Sequence, residues 1–90
     1  MSIANNSSRS KIFILINCVD GKIDSVLEQI KKIDIVTQVQ KTDGAYDLIA
    51  ILEADTNDEL KKTLMHKIRT IDDVKYTLTL RSSLDDEVLG

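Results

Sequence analysis

One histidine, one cysteine and three glycines narrow the chemistry open to this chain. His66 stands among Met65, Lys67 and Ile68, where a helix would turn it to solvent, and no second His or Cys lies at ligand spacing to complete a metal site. A hydrolytic triad needs a His oriented by an acid beside a nucleophile, a context His66 lacks. Cys18 excludes an intramolecular disulfide and any Cys-x-x-Cys motif, and at a strand end it reads as a small core residue. Gly21, Gly44 and Gly90 are too scattered to cradle a phosphate. The helical carboxylates sit where a solvated face is expected. The residues therefore call for no enzyme, metal or cofactor. The segment that stands out is Gly44-Ala45-Tyr46-Asp47, which follows Asp43.

The elements that must position this segment follow from periodicity. Ile12-Phe13-Ile14-Leu15-Ile16 is an unbroken, β-branched apolar run, too short for a buried helix, and predicts a buried strand. Ile23, Val26, Leu27, Ile30 and Ile33 then form one stripe of a helix. Ile35 to Lys41 is more polar, as an edge strand should be, and runs into Asp43-Gly44, a favoured two-residue hairpin turn. Tyr46 to Glu53 contains a second continuous run, Leu48-Ile49-Ala50-Ile51-Leu52. Thr56-Asn57-Asp58-Glu59 has capping-box spacing, and Leu60, Leu64, Met65, Ile68 and Ile71 mark a second helical stripe. Val74 to Leu80 alternates large and polar side chains, predicting a last strand.

The order is βαββαβ, and it repeats. Ile30-Lys31-Lys32-Ile33-Asp34-Ile35-Val36 recurs 38 residues later as Ile68-Arg69-Thr70-Ile71-Asp72-Asp73-Val74. Two interleaved right-handed βαβ halves predict an α+β, ferredoxin-like sandwich: a four-stranded antiparallel sheet of order 4-1-3-2 with both helices on one face. The polar residues 1–10 read as a flexible leader, residues 11–81 as one domain, and residues 82–90 as a short acidic tail.

The two apolar runs carry a further implication. Successive strand side chains point to opposite faces, so a sheet with helices on one side and water on the other should alternate. Ile12–Ile16 and Leu48–Leu52 do not. Two helices cover one face; the other would expose an apolar patch larger than soluble monomers usually tolerate. Burying about six such side chains contributes on the order of 9–18 kcal/mol before association entropy. Homodimerisation through the sheet is expected.

Charge and composition exclude other duties. A hydrophobic fraction of 42% with 30% charged residues is globular composition. A net charge of −3, with Lys and Arg interleaved among Asp and Glu, argues against direct DNA binding, which needs a basic stripe. No apolar run approaches the roughly 18 residues that span a bilayer, so no membrane role and a cytoplasmic location are expected. An RNA-binding sheet of this topology would display aromatics on its central strands, but apart from Phe13, Tyr46 and Tyr76 the chain has none. A soft-metal carrier would need a Cys pair after the first strand. Small sheet-dimer enzymes also hide their sheets, but their pockets require His, Asn or Trp with no evident place here.

At Gly44-Ala45-Tyr46-Asp47 the chain resembles the C-terminal effector domain of Lrp/AsnC regulators, the RAM domain. The resemblance covers residues 11 to 81. It rests on Leu15-Ile16-Asn17-Cys18, the Val-Leu-Glu of the first helix, Gly-x-Tyr-Asp-Leu-Ile at the hairpin, Glu59-Leu60, and Val-x-x-Thr-x-Thr-Leu in the last strand. It implies a sheet dimer that assembles further, often to an octamer, and binds a free amino acid or similar small effector between dimers. Family members carry an N-terminal helix-turn-helix, for which 90 residues leave no room, so a free-standing form is expected, acting through assembly or together with full-length relatives. The implied effector-binding residues are Asp43, Gly44, Tyr46, Asp47, Thr77 and Thr79. A tight turn can offer backbone N–H groups to a ligand carboxylate, Gly44 permits close approach, and a carboxylate with hydroxyls can hold an ammonium. Asp43 and Asp47 then favour Lys, Arg or a neutral polar amino acid over Glu. Two alternatives stand beside this expectation: a small sheet-dimer enzyme, and an architectural oligomer with empty crevices.

Overall fold

A computed structural model of the chain describes residues 10–81. The expected leader and tail lie outside the described residues, except that Ser10 already belongs to the first strand. The elements are β1 (Ser10–Cys18), α1 (Ile23–Lys31), β2 (Val36–Lys41), β3 (Leu48–Ala54), α2 (Asn57–Thr63), a π-helical turn (Leu64–Ile68) that prolongs α2, and β4 (Val74–Arg81). The sheet order is β2-β3-β1-β4 with every pair antiparallel, which is the expected ferredoxin-like arrangement.

The continuous apolar runs occupy the centre and are split between two faces. Ile12, Ile14, Ile16 and Cys18 of β1 and Leu48, Ala50, Leu52 and Ala54 of β3 are buried toward the helices, where Val26 and Ile30 of α1 and Leu60 and Ile68 of α2 and its π turn meet them. The intervening residues are paired across the strands on the other face, Phe13 with Ile51 and Leu80, and Leu15 with Ile49 and Leu78. Leu78 is 36% exposed and Leu80 45% exposed on this face. Lys11 and Glu53 pair beside the apolar patch, and Gln38 and Gln40 of β2 face it across from Ile51 and Ile49, so the patch has a polar rim. β4 alternates as expected, but its large residues point to the open face and its threonines toward the helical side, because Thr77 pairs with the buried Ile16 and Thr79 with Ile14.

The internal repeat is visible bond by bond. At the end of α1, Ile33 N–H donates to the Ile30 carbonyl (3.0 Å) and Val36 N–H to the Ile33 carbonyl (3.1 Å). At the end of the π turn, Ile71 N–H donates to the Ile68 carbonyl (3.1 Å) and Val74 N–H to the Ile71 carbonyl (3.0 Å). Ile30 and Ile68 both lie fully in the core. The register of β2 against β3 skips Thr37, and that of β4 against β1 skips Lys75, so each edge strand opens with a bulge at the equivalent position.

Two expectations need correction. Met65 does not join the core stripe of the second helix and is 53% exposed. The π turn adds a residue to that turn, shown by the Arg69 N–H to Leu64 carbonyl bond (2.9 Å), and this rotates Met65 outward while Thr63 and Leu64 take the inner side. The hairpin is also not closed by two residues. Thr42 N–H donates to the Asp47 carbonyl (3.0 Å) and the Thr42 hydroxyl to the Tyr46 carbonyl, so the turn spans 43–46 and Tyr46 precedes β3 rather than opening it. The second helix starts as expected, with the Thr56 hydroxyl accepting from Glu59 N–H (3.2 Å).

Candidate functional site

The hairpin loop is anchored to the end of β1 through Asp47. Its carboxylate accepts a hydrogen bond from Cys18 N–H (2.8 Å), while its own N–H donates to the Ile16 carbonyl (2.9 Å) and to Asn17 Oδ1 (3.2 Å). A carboxylate is the right group here, since charge-assisted hydrogen bonds are shorter and stronger than neutral ones. Burial pushes the Cys18 thiol pKa above its usual range, and the Asp47 and Asp73 carboxylates push it the same way, which disfavours the thiolate.

From this anchor the loop reaches across the end of the sheet toward β4. The half-buried ring of Tyr46 stacks on that of Tyr76 in β4, with centroids 6.3 Å apart. Asp43 and Gly44 stand exposed at the tip. Gly44 has φ +129°, a backbone region that side-chain-bearing residues rarely adopt, and a Cβ added there would meet nothing within 4 Å. Its requirement is conformational, and the space above it is open to a ligand or a second chain.

The six residues implied by sequence therefore divide into two groups within one chain. Asp43, Gly44, Tyr46 and Asp47 form one connected loop held against Asn17 and Cys18. Thr77, half-buried, and Thr79, exposed, lie on the helical side of β4. Strand alternation places Tyr76 on the opposite side from the threonines. Even so, Tyr76 lines the same groove, because β4 is an edge strand and the groove of about 360 Å³ wraps that edge. Leu64, Arg69 and Lys75 complete its walls with Thr77 and Thr79. Tyr76 is thus the residue that joins the groups, and sequence reasoning did not place it in the site; its signal was that it is one of only three aromatics. Arg69 and Lys75 were also missed, since isolated cations on a helix end and an edge strand read as solvated charges.

Among the described residues, no group of three or more His, Cys, Asp or Glu could hold a metal ion, and no helix is long and apolar enough to cross a membrane. His66 is exposed, as expected.

The Lrp/AsnC ligand binding domain family matches this chain over residues 11–83. The chain belongs to that family. Its fold is shared with the crystal structure of FFRP-DM1, at 30% identity and a TM-score of 0.79, over 82% of this chain and 99% of that one. It is similar to Escherichia coli AsnC at 28% identity and a TM-score of 0.78, over 89% of this chain and 54% of AsnC, so it spans about half of that regulator. The transcriptional regulator NMB0573 of Neisseria meningitidis, crystallised with L-Met, shares the fold at 12% identity and a TM-score of 0.69, over 87% of this chain and 51% of that one. Among curated protein sequences, none matches this chain. Membership of this family makes the chain a regulatory effector-binding module of the Lrp/AsnC kind.

Proposed function

We propose that this Lrp/AsnC domain is an amino-acid-responsive module that acts in the cytoplasm by assembling with copies of itself and with full-length relatives, rather than by contacting DNA. The observation that carries the reading is the pairing of an apolar open face with a polar loop at its edge. Phe13, Leu15, Ile49, Ile51, Leu78 and Leu80 leave a patch of the kind that marks an interaction surface, and its polar rim fits that use. A second copy laid on this face forms a dimer, and further association of dimers, up to an octamer, brings the loop Asp43–Asp47 of one chain against a neighbour to enclose an effector.

The loop chemistry suits an amino acid. Backbone N–H groups in a turn such as this one can meet a ligand carboxylate, and Asp43 can supply the charge that an ammonium requires. The Tyr46–Tyr76 stack joins the loop to β4, so occupancy of the site can be felt along the strand that also contributes Leu78 and Leu80 to the open face. The L-Met bound by the Neisseria regulator supports a free amino acid as the class of effector.

The test is a thermal-shift screen of the twenty amino acids on the purified chain, with native mass measured in parallel. A saturable rise in Tm for one or a few amino acids, in an assembly of dimers or larger, is expected. A monomer that answers to none of them would overturn the reading.

A further inference from the structure

The repeat builds the same groove twice. Beside β2 lies a groove of about 280 Å³ lined by Lys31, Val36, Thr37, Gln38 and Val39. Adding the 38-residue repeat to each position gives Arg69, Val74, Lys75, Tyr76 and Thr77, all of which line the groove beside β4. Both are consequences of one geometry: a helix ends, the chain makes two tight turns, and an edge strand begins with a bulge that leaves a hollow beneath it.

The two copies differ in chemistry. In the first, the one cation, Lys31, is paired with Glu28 at 3.6 Å, and the bulged residue is Thr37, whose hydroxyl donates to the Ile51 carbonyl. In the second, the equivalent positions are both cationic, Arg69 and Lys75, and neither has an ion-pair partner among the described residues. No carboxylate lines that groove. Two uncompensated cations around one hollow, in a chain of net charge −3, raise the local affinity for an anion. The π turn occurs in the second half alone, and such turns are frequent at functional sites. It carries Leu64 to the wall and ends at Arg69, adding an apolar surface to the cationic one. Thr77, Thr79 and Tyr76 add hydroxyls.

We infer that the groove beside β4 binds a small organic acid, with its carboxylate held by Arg69 and Lys75 and its carbon chain laid on Leu64. A planar guanidinium suits a bidentate carboxylate, and a short apolar chain fits the Leu64 wall. The size is at the lower end of metabolite pockets, which run from about 300 Å³. This deepens the effector-binding reading and rests on it, since Thr77 and Thr79 belong to both. It moves the carboxylate anchor from the hairpin amides to two side chains and leaves the ligand's other end for the loop. The groove beside β2 becomes an internal control that should not bind.

The experiment titrates the twenty amino acids, and the 2-oxo acid of leucine, into the parent chain by calorimetry. The tightest binder is then carried to the variants, together with its amide, which lacks the carboxylate. The double variant Arg69→Gln/Lys75→Gln should bind about tenfold or more weakly, since each charged hydrogen bond contributes on that scale. Lys31→Gln should bind as the parent does, and the amide should not bind the parent. Circular dichroism establishes that the double variant is folded. Equal binding by the parent and the double variant, or undiminished binding of the amide, overturns this assignment while leaving the effector-binding reading intact. Absence of binding by every acid to the assembled parent overturns both.

Discussion

The ring of Tyr46 lies against the ring of Tyr76, with centroids 6.3 Å apart and planes inclined by 17°. These residues come from a loop and an edge strand that share no backbone hydrogen bond, since β1 lies between β4 and β3, the strand the loop enters. The stack is therefore a side-chain tie across the end of the sheet. It holds the loop over the side of the domain where the β4 groove opens.

Removal of either ring should loosen the loop without unfolding the domain. A double-mutant cycle of Tyr46→Ala and Tyr76→Ala, read by urea denaturation, should show a coupling of about 0.5–1.5 kcal/mol, the range for aromatic pairs beyond area burial. Amide exchange should accelerate at Asp43–Asp47 in both single variants. Strictly additive effects would mean that the rings touch without cooperating.

Charge placed on β1 should separate the two faces of the sheet. Ile14 is fully buried between Ala50 and Thr79 on the helical side, whereas Leu15 lies between Ile49 and Leu78 on the open side. Ile14→Lys should cost on the order of 5 kcal/mol or more and abolish the folded circular dichroism signal, because the ammonium has neither water nor a partner. Leu15→Lys should keep that signal and halve the native mass. If Leu15→Lys sediments as the parent does, the open face is not the dimer surface.

What the sequence reveals of the fold follows from which properties are periodic. Topology was legible because Ile12–Ile16 and Leu48–Leu52 are too apolar for any but the central strands, and because the repeat at Ile30 and Ile68 fixes two equivalent helix–strand junctions. The π turn was not legible, since one inserted residue changes no composition, and so Met65 was assigned inward. The hairpin was misread because Asp43-Gly44 has the composition of a tight turn, while the closing bonds come from Thr42 and Asp47. The candidate loop was legible as the motif Gly44-Ala45-Tyr46-Asp47. Its link to β4 through Tyr76, and the cations at Arg69 and Lys75, depend on a three-dimensional neighbourhood that no local pattern encodes.

Cys18 predicts how stability depends on pH. Burial first, then the Asp47 and Asp73 carboxylates, raise the thiol pKa in the folded chain above its ordinary value of 9.0. As pH rises, the unfolded chain therefore releases this proton before the folded chain does, and deprotonation pulls the equilibrium toward the unfolded state. The contribution is intact below the unfolded thiol pKa and is lost as pH rises through the folded value. Urea midpoints measured from pH 7 to about 10 should decline, and Cys18→Ala should flatten the part of the decline that begins near the ordinary thiol pKa. An unchanged slope in the variant would show that Cys18 does not govern it.

Gly44 offers the sharpest test of the loop. With φ +129° and nothing within 4 Å of an added Cβ, its substitution is opposed by backbone conformation and not by any neighbour in the same chain. Gly44→Val should cost about 1–3 kcal/mol from strain at that angle and should displace Tyr46 from Tyr76. An amino acid at about 100 times its Kd stabilises the parent by roughly 2.7 kcal/mol, a shift of many degrees in a domain this small. Gly44→Val should erase that shift, because strain at that angle displaces the loop and the added side chain fills the approach. Thr79→Val keeps the β-branched shape and the fold while removing one hydroxyl, so its shift should shrink without vanishing. Tm recorded for both variants with and without ligand decides the matter. A full ligand shift in Gly44→Val would leave the loop as a structural turn and assign effector binding to the β4 groove alone.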